Sequence, residues 1–128
     1  MSKWLLFMAM VFCVLACTHR SFELSLPVTG CDTVNVSYAA NVRPVIRSNC
    51  YPCHSDSATV NGGLNLESFA SLKSYLAYGF RGDGVYGSKF YHCIAHIPGA
   101  LSMPPTYKID SCSLKQVKKW IDMGASEN

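Results

Sequence analysis

Charge is scarce in this sequence: only 15% of its 128 residues are Asp, Glu, Lys or Arg, and no basic run interleaved with aromatics occurs. Outside the first sixteen residues ten Lys and Arg face eight Asp and Glu, because Lys3 is the one charged residue before Cys17. So small an excess supplies no electrostatic footprint for nucleic acid. No segment alternates apolar and polar residues over a useful length, which argues against a half-buried strand. There is no internal repeat and no low-complexity tract. An acid, base and nucleophile in hydrolytic order is also missing, so the sequence offers no catalytic set. The length suits one compact domain, and 49% hydrophobic residues suffice for a core.

Hydrophobic runs are equally limited. The longest follows Lys3 in MSKWLLFMAMVFCVLA, too short to span a bilayer comfortably but with the charged start and apolar middle of a secretory signal. Residues 1–16 are therefore expected to be a signal peptide. Val14-Leu15-Ala16-Cys17 looks like a bacterial lipobox, which implies lipidation of Cys17 and places the domain on the periplasmic or cell-surface side of a bacterial membrane, held there by lipid. The rival readings are an ordinary signal peptide or an uncleaved anchor. The polar stretch after Cys17, with Pro27 and Gly30, reads as a tether over 17–30, and the domain as 31–128.

Within the domain the periodicities are helical. Val42, Val45 and Ile46 recur at helical spacing between Tyr38 and Asn49, with Pro44 requiring a place in the first turn. Asn61-Gly62-Gly63 marks a turn, and Phe69, Leu72 and Leu76 form a second helix closed by Gly79. After the glycine-rich GFRGDGVYG, the segment SKFYHCIAHI has the length of a short third helix with Phe90, Cys93, Ile94 and Ile97 on one side. GALSMPPTYK is irregular, since Pro104 and Pro105 cannot lie inside a helix. Ser113 with Gln116 suggests a capping box for a last helix, whose stripe is Leu114, Val117, Trp120 and Ile121 and whose stop is Gly124. The expectation is an all-α domain with long loops. Such loops in so small a domain imply that something large fills the space between the helices.

One motif says what that could be. Residues 50–54 read CYPCH. Covalent haem attachment requires two thiols to add to two vinyl groups and an imidazole to reach the iron, and Cys-x-x-Cys-His meets this demand within a helical turn. Shuffling this composition would yield the pattern about once in a hundred trials. Cys50 and Cys53 are thus the expected thioether anchors and His54 the proximal iron ligand. A zinc site lacks its second pair, since Cys93 and His96 complete no CxxC or HxxxH partner. A thioredoxin-type dithiol lacks the strand that should precede it.

The second axial position separates carriers from catalysts. Of five methionines only Met103 and Met123 follow the signal segment. Met123 falls in the last helical turn, where a thioether fills core, whereas Met103 lies in a proline-stiffened SMPP loop and is the expected sixth ligand. The competing readings are Met103 as a buried loop anchor and His92 or His96 as ligand. His19 belongs to the tether.

Helix, CxxCH, a GGLNL turn, a glycine-rich loop, MPP and the closing WIDMGA together resemble small class I-like cytochrome c domains, in particular the single-haem, planctomycete-type group of exported bacterial proteins and lipoproteins. The likeness covers residues 31–128 and is weakest over YGFRGDGVYGSKFYHC. It implies a small cytochrome c-like fold around one covalent haem c, His54 and Met103 as axial ligands, and electron transfer between extracytoplasmic redox proteins rather than enzymatic turnover. It also implies a disulfide between Cys31 and Cys112. Cys93 is then left as a buried thiol, the alternative being a Cys93 to Cys112 bridge. Trp120 is expected where the last helix crosses the first. Lys115, Lys118 and Lys119 form a solvated face that could also steer an acidic partner. The alternative functions are a haem enzyme or gas sensor with an open distal site, His92 or His96 serving as distal base, and a haem-free binding lipoprotein.

Overall fold

The structure, a computed structural model, describes residues 30–57 and 63–128. The signal segment, Cys17, the tether before Gly30 and the Asn61-Gly62 part of the predicted turn lie outside the described residues. Among the described residues every regular element is helical and there is no strand. A π-turn over Tyr38–Val42 runs straight into α1 (Arg43–Asn49), followed by α2 (Phe69–Leu76), a 3₁₀ turn (Phe80–Gly82), α3 (Ser88–Ile94) and α4 (Ser111–Asp122).

The first helical segment starts where its cap dictates. Ser37 Oγ accepts from the Ala40 amide at 3.1 Å, and the amides of Tyr38 and Ala39 donate to the side chain and carbonyl of Asn128, each at 2.9 Å. Pro44 sits in the first turn of α1, as expected, directly after the π-turn. There the Val42 and Arg43 amides reach back five residues, to the Ser37 and Tyr38 carbonyls. The wider turn moves the carbonyls that a proline ring would meet in a regular helix.

α4 carries the most regular apolar stripe. Leu114, Val117, Trp120 and Ile121 are all buried, and Trp120 stacks on Tyr38 with ring centroids 5.4 Å apart, so the last helix does cross the first helical segment there. Phe69 meets the Tyr38 ring edge-on at 4.8 Å, bringing α2 into the same cluster. The predicted Ser113–Gln116 capping box is absent. The helix begins at Ser111, Asp110 accepts from the Ser113 amide at 2.9 Å, and Gln116 instead donates to the Asp32 carbonyl. Aspartate one turn earlier wins because an ionised oxygen is the stronger acceptor for the free amides and complements the helix dipole. Met123, expected as core filling, caps the helix end and is 46% exposed.

Two covalent and steric devices hold this frame. Cys31 and Cys112 are disulfide-bonded, joining the start of the described domain to the first turn of α4 across 81 residues. Gly87 opens α3 at φ +72°, and a Cβ there would come within 2.6 Å of Ile121, so its lack of a side chain lets α3 pack on α4. The buried core, including Ile46, Leu72, Leu76, Phe90, Ile94 and Val117, lies between these helices and the loops on the other side.

Candidate functional site

CYPCH continues α1 by one more turn. The Cys50 amide donates to Ile46, and the amides of Cys53 and His54 both donate to the Cys50 carbonyl, at 3.1 and 2.8 Å. Pro52 is tolerated because it stands at the opening of this new turn, where an amide hydrogen is not required. The turn folds two thiols and an imidazole onto one wall. Cys50 is buried, and that burial, reinforced by the neighbouring Cys53 thiol, pushes its pKa up to about 12. Cys53 is exposed and both thiols are free.

His54 is gripped from the far side of the 58–62 stretch. Its Nδ1 lies 3.3 Å from the Leu64 carbonyl, while its own carbonyl accepts from the Leu66 amide at 2.8 Å. A carbonyl can only accept, so Nδ1 is the donor in this contact, and Nε2 is the ring nitrogen left for another partner. The backbone of Leu64 and Leu66 thus orients the imidazole.

α3 and the proline-rich loop are joined to each other by backbone. The Met103 amide donates to the Cys93 carbonyl at 3.0 Å, Met103 is half-buried and Pro104 is buried. The Met103-Pro104 peptide is cis. From that loop Tyr107 reaches the end of α1, its hydroxyl donating to Asn49 Oδ1 at 3.0 Å.

Between the walls is a cavity of about 1270 Å³, lined by Cys50, Cys53, His54 and Met103 together with Leu64, Leu66, Tyr75, Phe80, Phe90, Cys93, Ile94, Leu101 and Tyr107. It exceeds the roughly 300–1,000 Å³ of ordinary small-molecule sites. Its lining is mainly apolar. The charged side chains on it are Arg81 and Lys89, both cationic and both exposed at its edge, with no carboxylate among them. Arg81 Nη2 donates to the Gly99 carbonyl at 3.4 Å and its guanidinium lies 5.1 Å from the Phe80 ring. The Lys89 ammonium sits 5.3 and 5.4 Å from the Tyr75 and Tyr78 rings.

The glycine-rich segment builds this edge by an ordered network. Ser88 Oγ donates to Asp83 at 2.8 Å and accepts from the Phe80 amide at 2.7 Å. Hydrogen bonds from the Val85 amide and the Ser88 hydroxyl hold the Asp83 carboxyl below its ordinary pKa. Gly79 has no room for a side chain, since a Cβ would meet Asp83 Oδ1 at 2.5 Å.

The two other candidate ligands are elsewhere. Neither His92 nor His96 lines the cavity. The His92 ring packs 4.2 Å from Phe80 on the outer side of α3. α3 ends at Ile94, three residues short of the predicted Ile97, and His96 lies beyond it at φ +55° rather than within a helix. His92 Nδ1 and His96 Nε2 are buried without a hydrogen-bond partner. Cys93 is not deep core but a half-buried free thiol on the cavity wall, its pKa raised by burial. Among the described residues no three His, Cys, Asp or Glu side chains converge on a point that could hold a bare metal ion.

Sequence reasoning brought forward the thiols, His54 and Met103 and missed Asn49, Tyr75, Phe80, Arg81, Lys89 and Tyr107. Only Phe80 and Arg81 carried a signal, their place in a glycine-rich loop. No protein-family model, curated protein or solved structure matches the chain.

Proposed function

We propose that the protein is a single-haem c-type cytochrome of the planctomycete-type group, exported, tethered to a bacterial membrane through Cys17, and carrying electrons between extracytoplasmic redox proteins. The observation that carries the reading is convergence. Cys50, Cys53 and His54 line one cavity with Met103, which lies about fifty residues on in the sequence. The cavity fits the group in three respects: it is larger than a small-metabolite site, its lining is mainly apolar as a porphyrin requires, and its charged side chains, Arg81 and Lys89, are both cationic, as suits a group with two carboxylates.

Bound haem would supply a one-electron couple between ferric and ferrous iron. The chain's part is to hold and tune it. Cys50 and Cys53 would hold the group through two thioether bonds, an addition of S–H across each vinyl that needs no oxidant and no leaving group. His54 would offer Nε2, its ring oriented by the Leu64 carbonyl at Nδ1. Met103 would supply a soft thioether, which raises the potential relative to harder ligands. Leu64, Leu66, Phe90, Ile94 and Leu101 exclude water. No proton is moved, and no acid or base is needed.

The placement of His92 and His96 off the cavity counts against a distal-base enzyme or sensor. The test is spectroscopic. The mature protein, coexpressed with haem-attachment machinery, is expected to be six-coordinate in both oxidation states and slow to bind carbon monoxide; Met103→Ala is expected to bind it rapidly and to have a lower midpoint potential. A native protein that is five-coordinate and takes up carbon monoxide at once would refute the carrier role.

A further inference from the structure

The stretch that follows Met103 is held very sparsely. The Met103 amide is anchored on Cys93 and Ile109 is buried, but between them Pro104, Pro105, Thr106, Tyr107 and Lys108 make one hydrogen bond among the described residues, that of the Tyr107 hydroxyl to Asn49. Its partner is fixed in orientation. Asn49 Nδ2 donates to the Val45 carbonyl at 2.7 Å, so Oδ1 must face the tyrosine and the hydroxyl must donate. Asn49 is the residue before Cys50, and both Asn49 and Tyr107 line the cavity. The bond thus ties the base of the attachment turn to the loop bearing the opposite ligand, spanning 58 residues of sequence.

We propose that Asn49 and Tyr107 form a clasp across the cavity edge that positions Met103 and governs how readily an outside ligand displaces its sulfur. This rests on the haem reading and adds to it a determinant of ligand exchange. With the clasp closed, the loop has a stop at Met103 and another four residues later, and a displaced sulfur returns to the same place. Released, the loop is held only by Met103 and the buried Pro104 and Ile109, and a small neutral donor such as imidazole competes better. Tyr107 is 49% exposed and packs into no core, so removing its hydroxyl leaves the fold intact. A single neutral hydrogen bond contributes little, so the change in competition is on the order of threefold to tenfold.

The experiment uses the haem-loaded mature protein and imidazole as probe. Tyr107→Phe, Asn49→Ala and the double variant are titrated with imidazole in the ferric state, with thermal unfolding followed in parallel. Both single variants are expected to bind imidazole threefold to tenfold tighter, the double variant no tighter than the stronger single, with little change in unfolding temperature. Unchanged imidazole affinity in Tyr107→Phe, or fully additive effects in the double variant, would overturn the clasp while leaving the cytochrome reading standing. Native protein that carries no haem would overturn that reading, and the clasp's ligand-exchange role with it.

Discussion

The Met103 amide donates to the carbonyl of Cys93 at 3.0 Å, so the loop bearing one candidate ligand is pinned to the last turn of α3 through backbone alone. The Cys93 thiol takes no part in that bond and belongs to no disulfide. It touches the cavity as a small, half-buried hydrophobe.

Cys93→Ser is therefore expected to keep the attached haem and its spectrum and to lower stability by about 1 kcal/mol. Denaturant titration with an absorption spectrum at each point measures both. A loss comparable to a severed crosslink would mean that Cys93, rather than Cys31, pairs with Cys112.

Replacing both Cys31 and Cys112 with serine opens a loop of 81 residues. The chain-entropy gain of the unfolded state is expected to lower stability by about 4 to 5 kcal/mol. Urea unfolding of the oxidised protein, its reduced form and the double variant gives the difference. Reduced wild type and double variant should coincide, and the haem content of the folded fraction should not change.

Asp110 adds a pH dependence at the foot of α4. Hydrogen bonds from the Ser113 hydroxyl and amide, with the Cys112 amide, hold its carboxyl below the usual aspartate value. Since the folded pKa is the lower one, its stabilisation is fully present above the unfolded value near 3.9 and is lost as pH falls through the folded value. Asp110→Ala is expected to lose about 1 kcal/mol at neutral pH. Asp110→Asn should keep the cap while flattening that acid limb, as read from unfolding midpoints between neutral pH and acid.

Local chemistry made much of this molecule legible. Leu114, Val117, Trp120 and Ile121 mark a helix face by spacing alone, and the structure buries all four. CYPCH is equally local, and one helical turn sets its thiols and imidazole on the same wall. The cavity edge was not legible, because Arg81, Lys89 and Tyr107 reach it through the Ser88–Asp83 network, the Gly99 carbonyl and a bond to Asn49, all contacts made after the chain has folded back. Boundaries failed where two local signals competed. Asp110 displaced Ser113 as the cap of α4, and α3 ended before His96, which adopts a left-handed backbone instead of continuing the helix. The π-turn ahead of Pro44 had no signature at all in the apolar spacing.

The most direct test of the central claim is mass spectrometry of the peptide spanning Cys50 to His54, taken from mature protein made with haem-attachment machinery. The account predicts that this peptide carries the mass of one haem through two thioether bonds, and that the intact protein stains for haem on a denaturing gel. Two unmodified thiols, or a disulfide between Cys50 and Cys53, would contradict it.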